Sequence, residues 1–352
     1  MWGIIFDAFE ADNSPLRLYG IIPVGTSIAT FFDATDVTNY CYPMIKRPAT
    51  HPLPSKDILI GVCLALLAAI GFSGKAILVK LAYLEHADAV TLLALRMAFS
   101  LPFFIAIGIW SARQHPVPLK KHDKLVLLGL GFVGYYLSSL LDFLGLQYIS
   151  AGLERLILFL YPTMTVLLGA LIYRQPIKKT VIAAMLLSYA GIALVFINSV
   201  SVQNQNVSLG ASLVFMSTLS YSIYLVGAGH AISRIGSMRF TAYAMIIACG
   251  ATLLQFFLIR PISTLDLPLK VYELALGMAI FSTILPVFLL SFAIRRIGSG
   301  STSLIGSIGP ISTIFMAYLF LNENISWLQI TGSTLVLAGV IIVSMNTRNN
   351  KQ

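Results

Sequence analysis

Charge is scarce in this sequence. Asp, Glu, Lys and Arg make up 11% of the 352 residues, against about 25% in an average soluble domain. Hydrophobic residues make up 57%, and the mean hydropathy is +0.86. This composition argues against a water-soluble, disordered or collagenous chain. It is typical of a helical membrane protein with several spans.

Cysteine and histidine are also few and scattered. Cys41, Cys63 and Cys249 lie far apart with no CxxC spacing, so the sequence supports neither a disulfide framework nor a metal knuckle. No Walker loop, GxSxG or HExxH motif occurs, which leaves ATP-driven transport and the familiar hydrolase mechanisms without support. We therefore expect no metal and no cofactor.

Long apolar runs begin after Asp57 and alternate with short polar breaks. A run of about 20 residues is long enough to cross the hydrocarbon core of a bilayer as a helix. The period-two alternation that a closed barrel needs is absent. The sequence predicts an all-α integral membrane protein with ten spans, at roughly 58–80, 89–110, 125–144, 152–173, 180–197, 208–228, 239–259, 272–292, 301–321 and 326–345.

Basic residues between the spans predict the orientation of the chain. If the N-terminus is cytoplasmic, the outer loops contain only Arg260 and Lys270, whereas the inner connections carry most of the other Lys and Arg residues. This asymmetry follows the positive-inside rule. An even number of spans then makes both termini cytoplasmic. The expected location is the cell (inner) membrane, as a multi-pass protein.

The second half of the chain repeats the first at an offset of 148 positions. Because each unit has five predicted helices, an odd number, the second unit must enter the membrane inverted. Inverted repeats are typical of secondary transporters, which bind substrate at the repeat interface. The informative matches are Gly152 with Gly300, Pro162 with Pro310, Thr165 with Thr313, and Ala190 and Gly191 with Ala338 and Gly339.

The repeat also predicts the domain organisation. Residues 1–54 contain no spanning run and form a poorly ordered tail, with Met44 as an alternative translation start. Residues 55–199 form the first repeat with helices one to five, and 200–347 form the second with helices six to ten. Residues 348–352 are a short cytoplasmic tail.

These residues resemble the drug/metabolite transporter superfamily, in particular its EamA-type, ten-helix transporters. The resemblance rests on GLQYISAGLERLILFLYPTMTVLLGALIYRQPI at 145–177 and on IGSGSTSLIGSIGPISTIFMAYLFLNENIS at 297–326. It implies movement of small metabolites across the bacterial inner membrane, most often efflux of amino acids or related compounds. The family's acidic residue after the fourth helix of each unit is Glu323 in the second copy and is replaced by Gln175 in the first. At this helix end we expect a role in capping or in loop structure.

Charged residues inside spans are costly and mark function by default. They are Lys75, Arg96, Asp142, Glu154 and Arg155, all in the first unit and all about 20 to 25 Å above the cytoplasmic surface. We expect this layer to bind a carboxylate through Arg96 or Lys75, and an amine or a coupling proton through Asp142 or Glu154. Alternatively, Glu154 or Asp142 pairs with Arg155 only to hold helices together.

Aromatic residues and prolines complete the candidate site. Tyr135, Tyr161, Tyr221 and Tyr224 are candidates for a wettable aromatic wall, although packing is an alternative for each. Pro162 and Pro310 interrupt equivalent helices of the two units. Paired interruptions are typical of transporter sites, and the alternative is a packing kink.

The leading hypothesis is a secondary transporter that works by alternating access and is not an enzyme. Its partners are a small-molecule substrate, the lipid bilayer and a coupling proton, and no nucleic acid; the sequence does not distinguish a monomer from a homodimer. One alternative is an importer or exchanger of a cofactor, nucleotide-sugar or drug-like solute. Another is an integral-membrane enzyme, but His230 lies far from the charged layer.

Overall fold

The structure is a computed structural model, and it describes residues 55–114, 118–172, 174, 176–177, 179–203 and 206–349. The predicted tail at 1–54 lies outside the described residues. The predicted C-terminal tail also lies outside them, apart from residues 348 and 349, which end the last helix.

All regular structure in these ranges is helical. A 3-10 turn, Ile262–Leu265, lies between the helices Ser237–Ile259 and 269–306. The helices are α1 Ser55–Leu84, α2 Ala89–Gln114, α3 Lys121–Leu146, α4 Ala151–Leu158, α5 Tyr161–Ile172, α6 Lys179–Gln203, α7 Val207–Ile235, α8 Ser237–Ile259, α9 at 269–306, α10 Gly309–Leu321 and α11 Trp327–Asn349.

Eight helices in the described part of the chain are long and apolar enough to cross a membrane, with α4 and α5 counted together. Two further apolar helices, Gly309–Leu321 and Trp327–Ile342, are shorter. The bundle is apolar outside as well as inside: Leu171, Leu186 and Phe257 are each more than 60% exposed. Such a surface suits lipid rather than water.

The predicted ninth span, 301–321, differs most from the structure. Its first part continues α9 as far as Gly306, and only Gly309–Leu321 forms a separate helix. In the first repeat a loop precedes α4, where Ser150 Oγ accepts a hydrogen bond from Leu153 N at 3.2 Å and so caps the helix. The equivalent residue is Gly298, which has no side chain to form this cap.

The helices repeat at the offset seen in the sequence. α2, α3, α5 and α6 begin at 89, 121, 161 and 179, and α8, α9, α10 and α11 begin 148 positions later, at 237, 269, 309 and 327. The tightest packing joins the two halves: α6 on α11, α2 on α8, α1 on α9, and α3 on α7.

Equivalent helices of the two halves pack antiparallel. Along α6, Ala184 and Ser188 lie against Gly339, and Gly191 lies against Gly332, so one helix ascends as the other descends. On α2 and α8 the sulfur atoms of Met97 and Cys249 are 3.7 Å apart, and Val90 and Phe256 belong to one buried cluster. In these two pairs, equivalent helices therefore run in opposite directions.

In the described residues each half has a π-helical segment, at Phe132–Leu137 in α3 and at Ile280–Ile284 in α9. The first residues of these segments are again 148 positions apart. A π-helical turn inserts a residue into an α-helix and is frequently found at functional sites.

Candidate functional site

A cavity of about 400 Å³ lies between the two halves of the bundle. Both π-helical segments border it, with Tyr135 from α3 and Thr283 from α9. Among the lining residues that the structure describes, every charged one comes from the first half, whereas the second half contributes hydroxyl and apolar side chains. The charged lining residues are Lys75, Arg96, Asp142 and Arg155, and the Ser and Thr residues are Ser138, Ser139, Ser217, Thr218, Thr241, Ser282, Thr283 and Thr302.

Lys75 holds two buried carboxylates together. Its ammonium forms an ion pair with Asp142, and its Nζ lies 3.2 Å from Glu154 Oε1. The Lys75 side chain is 15% exposed, while the side chains of Asp142 and Glu154 are 4% and 0% exposed. The three residues come from α1, α3 and α4, so this cluster fixes three helices to one another.

The predicted charged layer is brought together, but its pairing differs from one of the sequence-based alternatives. That alternative paired Arg155 with Glu154 or Asp142. In the structure both carboxylates lie within ion-pair distance of Lys75 instead. The reason is helical geometry: Glu154 and Arg155 are consecutive on α4 and so point about 100° apart. Arg155 faces the cavity, whereas Glu154 lies behind its wall.

Two guanidinium groups face the cavity without an ion pair in the described part of the chain. Arg155 Nε is buried and has no hydrogen-bond partner among the described residues. Arg96 is 7% exposed, donates from Nε to Thr283 Oγ1 at 3.1 Å, and lies 5.5 Å over the centre of the Phe143 ring. Lys75, Arg96 and Arg155 exceed Asp142 and Glu154 by one positive charge, and a guanidinium group suits a carboxylate.

Four tyrosines form a continuous aromatic cluster. The hydroxyls of Tyr135 and Tyr224 are 3.1 Å apart, and the Tyr221 ring stacks on Tyr224 at 5.6 Å and meets Tyr161 edge-on at 5.7 Å. Tyr135, Tyr161 and Tyr221 line the cavity, whereas Tyr224 is 4% exposed and supports them from behind.

Pro162 and Pro310 each lie in the first turn of a helix that follows a two-residue break. The breaks fall at 159–160 and 307–308, one repeat apart. Proline is tolerated in a first turn, where its missing N–H would have no partner inside the helix. The two helices are thus interrupted at equivalent positions. In each case the break lies just before the proline and not at it.

Sequence reasoning missed the π-helical segments and the hydroxyl residues of the second half. An available signal was the offset itself, since Thr283 is the repeat equivalent of Tyr135. Without knowledge of the π-helical turns, a threonine in an apolar run gives no sign that it meets an arginine.

Polar contacts at both ends of the bundle join the two halves. At one end Glu85 Oε1 lies 2.6 Å from Lys270 Nζ, and Asp88 Oδ1 lies 3.0 Å from Arg260 Nη2.

At the same end, the carboxylate of Glu323 accepts a hydrogen bond from Ala151 N at 3.1 Å, which caps α4 as expected for this position. Gln175, its counterpart in the first repeat, lies outside the described residues. At the other end Asp123 pairs with Arg234 at 2.6 Å.

Comparison with known proteins gives consistent results. The model of a family described as the EamA-like transporter family matches residues 59–197 and again 208–345. The chain is 30% identical over 282 residues to the uncharacterized transporter YcbK of Bacillus subtilis, covering 79% of this chain and 90% of that protein. It is 25% identical to the uncharacterized transporter YyaM of the same organism, covering 61% of this chain and 71% of that protein.

A solved structure titled "Crystal structure of protein" has a TM-score of 0.55 and 16% sequence identity. The match covers 85% of this chain and 99% of that one. At this identity the likeness supports the fold alone.

Proposed function

Because the chain belongs to the EamA-like transporter family, we propose that it is a secondary transporter that moves small metabolites across the cytoplasmic membrane by alternating access. The family assignment confirms the resemblance seen in the sequence. It makes the protein a multi-pass membrane transporter, and the proposed activity is transport without catalysis. The observation that carries the proposal is the cavity with a charged lining, enclosed between two halves whose equivalent helices run antiparallel.

In the proposed topology ten spans form two inverted five-helix repeats, 55–199 and 200–347, in the inner membrane, with both termini cytoplasmic. Three observations support it. α6 and α11 are repeat equivalents and pack antiparallel. Glu323, which follows α10, contacts Ala151 at the start of α4, whereas the equivalent connector at 174–177 follows the far end of α5. The outer loops of this topology contain only Arg260 and Lys270, whereas the inner connections carry most of the other Lys and Arg residues, as the positive-inside rule requires.

The proposed substrate is an amino acid or a related carboxylate compound, moved outward. Arg96 and Arg155 face the cavity and would bind the carboxylate, and Asp142 would meet an amine or carry a coupling proton. The tyrosines Tyr135, Tyr161 and Tyr221 would contact the remainder of the molecule. A volume of about 400 Å³ lies at the small end of ligand sites, which favours such a solute over the alternative of a cofactor, nucleotide-sugar or drug-like compound.

Flux into liposomes tests this proposal. Purified protein is reconstituted and given a mixed pool of labelled amino acids, and we expect at least one to accumulate against its gradient with unchanged chemistry. Arg96→Gln should weaken that transport about 10- to 100-fold, because a hydrogen bond to a charged group contributes about 1.5–3 kcal/mol. Arg113→Gln, at an exposed position, is the matched control. Full transport of a carboxylate by the Arg96 variant would contradict the assigned site.

A further inference from the structure

The guanidinium of Arg96 has contacts on two sides, and Arg96 lines the cavity. Nε donates to Thr283 Oγ1 at 3.1 Å, and the Phe143 ring lies 5.5 Å from Cζ. Arg96 itself belongs to α2 in the first half, whereas Thr283 belongs to α9 in the second half. This hydrogen bond therefore crosses the interface between the two halves.

The π-helical turn determines what the Thr283 hydroxyl can do. Its hydrogen is donated to Met278 O at 3.1 Å, five residues back. Two buried threonines in α-helical parts of the bundle donate four residues back instead, Thr218 to Val214 O and Thr252 to Ala248 O. A hydroxyl has one hydrogen to donate, so only the lone pairs of Thr283 remain, and these suit an arginine, which can only donate.

We propose that Thr283 is a positioning residue for Arg96: it fixes the guanidinium so that the two terminal nitrogens form a bidentate pair with the substrate carboxylate. This inference rests on the proposed function, since it assumes that Arg96 meets the substrate. It explains how the second half, whose described lining residues carry no charge, takes part in recognition. A guanidinium group that is already held in place loses less conformational freedom when it binds the carboxylate.

The test compares three variants in the liposome assay, with the labelled amino acid that the wild type accumulates. Thr283→Val keeps the shape and removes the oxygen, and we expect the KM to rise five- to tenfold with Vmax unchanged within a factor of two. Thr283→Ser restores the oxygen and should return the KM to within twofold of the wild type. Thr252→Val removes a fully buried hydroxyl away from the cavity and should leave both parameters unchanged.

A second measurement detects the hydrogen bond between Arg96 Nε and Thr283 Oγ1 directly and needs no substrate. Purified protein labelled with ¹⁵N at arginine Nε is examined by NMR, with Arg96→Lys identifying the Arg96 signal. The Arg96 Nε–H should exchange with water at least tenfold faster in Thr283→Val than in the wild type, and Thr283→Ser should retain the slow exchange.

The outcomes separate this inference from the proposed function. An unchanged KM and unchanged Nε–H exchange in Thr283→Val, with wild-type transport intact, would overturn the positioning role alone. A KM increase that Thr283→Ser fails to restore would also overturn it, because the effect would then not depend on the oxygen. Failure of the wild type to transport any amino acid or other carboxylate would overturn both proposals.

Discussion

Lys75 is the shared ion-pair partner of two carboxylates that have almost no contact with solvent. Asp142 and Glu154 both lie within ion-pair distance of its Nζ. Removing the cation leaves two uncompensated buried charges, and breaking one buried ion pair destabilises a protein by about 3–5 kcal/mol. We therefore expect Lys75→Met to lower the stability by at least that amount, measured as thermal unfolding in detergent.

Lys270→Gln is the matched control for this prediction. Lys270 also forms an ion pair, with Glu85, but its side chain is 63% exposed. Exposed pairs contribute about 0–1 kcal/mol, so this variant should unfold close to the wild-type temperature. Adding Asp142→Asn to Lys75→Met should recover part of the loss. Equal effects of the two single Lys variants would show that the Lys75 cluster is solvated.

The carboxylates of the cluster differ in their access to the cavity, and this difference predicts their roles in proton coupling. Asp142 lines the cavity, whereas Glu154 is enclosed behind it. A coupling group must exchange protons with water, so Asp142→Asn should abolish accumulation driven by a pH gradient while solute exchange continues. The measurement compares pH-driven uptake with counterflow in the same liposomes.

Glu154→Gln serves as the comparison variant, because it removes an equivalent charge without changing a residue of the lining. We expect it to retain pH-driven uptake, with a lower stability because Lys75 loses one partner. Uptake by Asp142→Asn that still follows the pH gradient would remove Asp142 from the coupling step.

The depth of the charged residues in the membrane could be predicted from the sequence, but the ion pairs that they form could not. Counting residues from each helix start placed Lys75, Asp142 and Arg155 in one layer, and all three border the same cavity. Which cation meets which carboxylate depends on the rotation of each helix about its axis. The apolar runs here are hydrophobic all round, so their pattern does not fix that rotation.

At the scale of helices, glycine contacts decide how closely α6 and α11 approach. A Cβ added at Gly191 would lie 2.5 Å from the Gly332 carbonyl oxygen, which belongs to the facing helix and cannot rotate away. Small residues permit such close approach in membranes. We expect Gly191→Ala to destabilise the protein by about 1–3 kcal/mol through overpacking, seen as a lower unfolding temperature in detergent.

Gly169→Ala provides the control, since nothing lies within 4 Å of a Cβ added there. It should be neutral or stabilising by up to about 1 kcal/mol, because alanine favours a helix over glycine. If both alanine variants unfolded at the same temperature, the close contact between α6 and α11 would be wrong.

The elements themselves were largely predictable, and the exceptions have local causes. Runs of about 20 apolar residues predicted the helices, and the offset of 148 predicted their equivalence. The continuation of α9 to Gly306 was not predicted, because both halves were expected to break at the same place. The π-helical turns leave no signature in composition, since the same residue types occur in α-helices.

At the scale of the whole molecule, the cavity extends toward one end of the bundle. It follows α1 from Lys75 to Ala65, about 15 Å toward the Ser55 end at 1.5 Å per residue. The opposite end is closed by contacts between the halves: Glu85 with Lys270, Asp88 with Arg260, and Glu323 with the backbone of Ala151. In the proposed orientation this closed end is the outer one.

Release to the outside then requires the contacts at the closed end to separate. In a chain whose native cysteines are replaced by serine, Glu85→Cys and Lys270→Cys together allow a reducible bifunctional thiol reagent to join the two halves there. We expect this cross-link to lower flux at least tenfold and reduction to restore it, because the halves could no longer rock apart. Each single cysteine variant treated in the same way should transport normally. Undiminished flux by the cross-linked protein would mean that this end does not open, and alternating access between the two halves would be the wrong mechanism.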